Sequence, residues 1–62
     1  MDKREVEINR AYMRLISELQ DELEFVYNNR TDDEQYDREA CADILSRIKD
    51  LQDDWAKAKR EL

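Results

Sequence analysis

Sixty-two residues allow one domain at most, and a chain this short gains too little from a single core to be secure without help from an oligomer, a metal or a disulfide. One cysteine and no histidine exclude a disulfide framework and argue against a zinc or haem site, while the absence of Gly and Pro excludes strand-rich and turn-rich folds. Asp, Glu, Lys and Arg make up 45% of the chain and leave a net charge of −6, a long-helix composition that disfavours nonspecific binding to nucleic acid.

Asp2 and Glu5 fit a capping box, so the first helix is expected to start near Lys3 and to run over about 3–28. At the helical angle per residue, Ile8, Ala11, Tyr12, Leu15, Ile16, Leu19, Leu23, Val26 and Tyr27 fall on one face. That face spans roughly 160°, against roughly 100° for an ordinary amphipathic helix. Val6 and Met13 sit at its margin, and Phe25 lies on the opposite side with Lys3, Arg10 and Arg14.

The stretch Asn28–Gln35 is the one break in the helical pattern. Asn28 or Asn29 is expected to end the first helix in the left-handed conformation. Thr31 and Glu34 read as a second capping box, with Asp32 and Asp33 placing negative charge at the favourable end of the helix dipole. The turn is therefore set at about 28–31, and a turn that short makes the helices antiparallel neighbours.

The second helix is expected over about 32–60. Cys41, Ile44, Ile48, Leu51, Trp55, Ala58 and Leu62 follow alternating steps of three and four, an a/d seam that Tyr36, Ala40 and Leu45 broaden. Closure at residues 28–31 pairs positions whose numbers sum to roughly 59, which sets Leu15 near Ile44 and Trp55 near Val6 and Ile8. The fold class is all-α: a single antiparallel helical hairpin over 1–62. Two helices cannot cover apolar faces this wide, so a homodimeric four-helix bundle is expected, with Tyr12, Ile16, Leu19, Leu23, Cys41, Ile44, Ile48, Leu51 and Trp55 as its core.

Charge is unevenly placed. Residues 18–43 carry ten acids and two bases, net −8, while the remaining residues sum to +2. An antiparallel dimer sets the acidic loop end of one copy against the mildly basic open end of the other.

Chemistry has little to work with. No His is present, no Gly-rich loop could cradle a phosphate, and Ser17 and Ser46 have no evident activating base. The acid clusters lack the turn Gly of a calcium loop and the Glu-x-x-His of a di-iron bundle. No enzyme activity, cofactor, metal or small-molecule substrate is expected. Cys41 reads as a small core residue, and Asn29-Arg30-Thr31 reads as turn plus cap rather than as a glycosylation site. No apolar run reaches the length of an export-signal core or a membrane span, and with the lone thiol this points to the cytoplasm.

Two surfaces remain. The acidic loop end, with Glu22, Glu24, Asp33, Asp37 and Asp43, fits a basic protein partner, including one whose nucleic-acid site the acids would occupy. The reading that follows is a small interaction or regulatory protein, an inhibitor by that route. The back of the first helix offers Lys3, Arg10, Arg14 and Phe25. With Lys3, and with Asp33-Glu34-Gln35 opening the second helix, the layout resembles the Rop family of plasmid RNA-binding regulators, helical hairpins that form antiparallel four-helix dimers. That resemblance implies RNA binding through the helix 1 face as the alternative function. A third reading is an assembly or adaptor piece that docks its apolar face on a helical partner.

Overall fold

The computed structural model describes residues 2–62. It is a hairpin of two α-helices, α1 (Lys3–Asn28) and α2 (Glu34–Arg60), packed against each other as a rod of 48 × 16 × 9 Å. Among the described residues there are no strands.

Helix α1 starts where the sequence places it. Asp2 is its N-cap and its carboxylate accepts the Arg4 N–H at 3.0 Å. That bond satisfies one of the donors a helix N-terminus leaves open. Its far end differs from expectation. No residue among those described adopts a positive φ. Asn29 instead turns at φ −122°, and both its backbone N–H and its Nδ2 donate to the Phe25 carbonyl, at 3.0 and 2.9 Å. A doubly served carbonyl replaces the left-handed cap.

Helix α2 also begins later than expected. Its N-cap is Asp33, whose Oδ1 accepts the Tyr36 N–H at 3.0 Å, and Thr31 is not a cap. Thr31 holds the loop in another way. Its N–H donates to Asp37 Oδ2 at 2.9 Å and its hydroxyl to Asp37 Oδ1 at 3.0 Å, while its Oγ1 accepts the Asp33 N–H at 3.2 Å. Both carboxylate oxygens of Asp37 are thus engaged by one residue six positions earlier. Charge-assisted bonds of this kind are about twice as strong as neutral ones, and they select Asp33 over Thr31 as the first residue of the cap.

The longer loop shifts the helix pairing. Trp55, expected near Val6 and Ile8, makes its resolved contacts on α1 with Asn9 and Tyr12. Its ring stacks on Tyr12, centroids 6.1 Å apart and 4° from parallel, and its Nε1–H donates to Asn9 Oδ1 at 2.9 Å. The contacting numbers sum to about 64–67 rather than 59. The later start of α2 accounts for part of this, and the lean of helical side chains toward their own N-termini accounts for the rest.

The core is thin. Ile16, Ile44 and Ile48 are the buried hydrophobics, at 7–9% exposure, with Leu19, Leu23, Val26, Leu51 and Trp55 packed around them. The α1 seam repeats in steps of four and three through Asn9, Tyr12, Ile16, Leu19, Leu23 and Val26. Leu15, Tyr27, Tyr36 and Leu45, which widen the apolar faces in the sequence, remain exposed.

Candidate functional site

The acidic residues of the loop half fall into two groups with different physical origins. The first group surrounds the start of α2. Asp33 caps the helix, Asp37 closes the loop on Thr31, and Glu34 lies in the first turn, where the positive end of the helix dipole favours a carboxylate. The fold itself accounts for these residues. Asp33 and Asp37, read from sequence as partner-binding, are thereby placed in the loop's own architecture.

The second group lies on the last three turns of α1: Glu18, Asp21, Glu22 and Glu24, all exposed. The helix dipole gives them no support, since it favours cations at a C-terminus and fades within the last turn, which these acids precede. The last turn of α1 contains no base, whereas α2 ends on Lys57, Lys59 and Arg60. Glu18 is held by Arg14 at 3.6 Å. No ion pair engages Asp21, Glu22 or Glu24 among the described residues. On α2, Asp43 is exposed but paired with Arg47 at 3.1 Å. Of the five acids singled out in the sequence, Glu22 and Glu24 are therefore the two that are exposed, unpaired and without a structural duty.

The neighbouring bases do not neutralise them. Arg30 sits over the Tyr27 ring at 5.5 Å from its centroid, a cation–π contact at the helix end. An open groove of about 240 Å³ beside it is lined by Val26, Tyr27, Arg30, Glu34, Asp37, Arg38 and Cys41. Cys41 is half-buried there as a free thiol.

The back of α1 carries the other candidate surface. Lys3, Arg10, Arg14 and Phe25 are all exposed, with Phe25 at 65%. Arg14 is tied to Glu18, and Glu7 and Asp21 share the same helical row as Arg14. The structure does not gather these bases into a continuous positive field.

Asn9 was not legible as a functional or structural residue. It occupies a seam position where an apolar side chain is the rule, and its role appears only once Trp55 is placed against it. Among the described residues, no group of three or more His, Cys, Asp or Glu converges on a point that could hold a metal, and no helix is long and apolar enough to cross a membrane. No protein-family model, curated protein or solved structure matches the chain.

Proposed function

We propose that this protein is a non-enzymatic interaction module that binds a basic protein through the acidic end of α1, working as a homodimeric four-helix bundle in the cytoplasm. One observation carries the reading. Glu22 and Glu24 stand exposed on the last turns of α1 with no cap, loop bond or ion pair that uses them, while on α2 Asp33 and Asp37 serve the cap and loop closure and Asp43 pairs with Arg47. Charge that no cap, loop bond or ion pair uses is left free for something outside the chain. A partner with a basic groove, such as a nucleic-acid-binding protein, matches that charge, and the docked bundle would occlude its groove. Steering by the net −8 of residues 18–43 would speed encounter and fall steeply with ionic strength, since screening sets in over about 8 Å at physiological salt.

The thin core supports the dimer, because three buried side chains among the described residues are few for a domain of this size. The free thiol of Cys41 is consistent with a reducing compartment. The RNA-binding alternative draws less support, since the α1 bases are interleaved with acids and Arg14 is already paired.

The test is affinity capture at low salt with two baits, the parent chain and a Glu22→Lys, Glu24→Lys variant. The expected result is a basic protein retained by the parent, released by moderate salt and not retained by the variant. Equal retention by both baits overturns the proposal.

A further inference from the structure

The two sides of the hairpin are chemically different, and the difference selects a face for a second copy of this chain. Tyr27 of α1 and Arg38 of α2 line the same groove, so they flank the helix seam on one side. Stepping back from Tyr27 in sevens gives Gln20, Met13 and Val6; stepping on from Arg38 gives Leu45, Gln52 and Lys59. Residues seven apart stay in one row along packed helices. Between its two ends this side therefore presents Val6, Met13, Gln20, Leu45 and Gln52, with no charge. Met13 is 58% and Leu45 50% exposed. The opposite side carries Ile8, Leu15 and Glu22 on α1 and Ala40, Arg47, Asp54 and Glu61 on α2, so charges are spread along its length.

The exposed area has the size a dimer needs. The hairpin exposes 5305 Å², while a folded monomer of 7.6 kDa is expected to expose roughly 4,300 Å². The excess, about 1,000 Å², is close to the roughly 800 Å² that each partner buries in a standard interface. Charge then sets the orientation. Net −8 on residues 18–43 occupies the loop half and the remaining +2 the open half. Parallel copies would stack the acidic halves, and antiparallel copies lay each acidic half along a basic one.

We infer that a second copy docks antiparallel on the Met13–Leu45 side, with the two loops at opposite ends of the four-helix assembly. The inference rests on the homodimer proposed above and is independent of the basic partner, so it is tested on the purified chain alone. Sedimentation equilibrium at micromolar concentration should give a dimer for the parent and for Leu15→Glu, which places a charge on the opposite side. The Met13→Glu, Leu45→Glu double variant should run as a monomer. Nitroxide labels at Asp32→Cys in a Cys41→Ser background should lie about 40 Å or more apart in the dimer, the length of one long helix. A monomeric parent overturns the inference, as does dissociation by Leu15→Glu, persistence of the dimer in the double variant, or a label separation below about 20 Å. A monomeric parent whose acidic end still captures a basic protein would remove this interface and leave the proposed binding intact.

Discussion

The two ends of the rod are held by different chemistry. Toward the open end an aromatic anchor joins the helices: Trp55 stacks on Tyr12, donates to Asn9 and carries the Lys59 ammonium over its ring at 4.5 Å. At the loop end the holding is local and polar. Thr31, Asp33 and Asp37 close on one another, and Asn29 doubly serves the Phe25 carbonyl. An aromatic anchor joins residues 46 positions apart and leaves the surrounding charges to vary. A polar clasp joins residues six apart and draws carboxylates to itself. The comparison shows why acidic residues gather at the loop and why only some of them need an outside explanation.

The middle of the rod belongs to both ends, and breaking it should erase the distinction. Ile48→Asp puts an unpaired carboxylate among the buried side chains of Ile16 and Ile44. The penalty is on the order of several kcal/mol, comparable with the whole stability of a domain this small. The expected outcome is loss of the helical circular dichroism signal at 25 °C. A cooperative thermal transition close to that of the parent would mean that the isoleucine cluster does not hold the hairpin together.

Trp55 tests the open end alone. Trp55→Ala should lower stability by about 3 kcal/mol, the low end for a large aromatic, because the side chain is only half-buried. Trp55→Phe retains a ring against Tyr12 but leaves Asn9 without its donor, and should lower stability by about 1 kcal/mol. Urea denaturation followed by circular dichroism measures both. If the Phe variant is as damaged as the Ala variant, the bond to Asn9 matters more than the stack.

Much of this fold is legible in the chain, and the failures share a cause. The 3–4 spacing of Ile16, Leu19, Leu23, Ile44, Ile48 and Leu51 specifies two helices and their facing sides, since burial needs only periodicity. The register is harder to read. Thr31 and Asp33 both have cap-forming side chains two positions apart, and each is followed by a plausible first turn. Asp37 decides between them by bonding Thr31 from a seam position where a carboxylate has nothing to pack against. That choice needs the geometry of a closed loop, which no linear pattern carries. Asn9 was missed for the same reason, its partner lying at the far end of the chain. The division of the acids into those used by the fold and those left free also emerged only after the cap was placed.

The loop end can be probed by its two rival caps. Asp33→Ala removes the carboxylate that accepts the Tyr36 N–H and should lower stability by about 1 kcal/mol, within roughly 0.5–2. Thr31→Ala keeps that cap and its own N–H bond to Asp37 while losing the hydroxyl, and should lower it by about 0.5 kcal/mol, the low end for an exposed hydrogen bond. Paired denaturation curves settle the order. A larger effect at Thr31 would return the cap to that residue and move the start of α2 two residues earlier.

The smallest expected effect has the opposite sign. Glu24 sits near the C-terminus of α1, where the dipole favours a cation and no base stands in the last turn. Glu24→Lys should therefore raise stability slightly, by about 0.3 kcal/mol at low ionic strength because Glu24 lies just before the last turn, and the gain should fade as salt is added. The same substitution should weaken capture of a basic partner, because it removes one of the α1 acids that no ion pair engages. Stability and binding would then move in opposite directions at one residue. A Glu24→Lys variant no more stable than the parent at low salt would show that α1 tolerates its acids at no cost. In that case the acids of the α1 end would be an ordinary solvated face that needs no outside explanation, and the contrast with the structural acids around the start of α2 would no longer point to a partner.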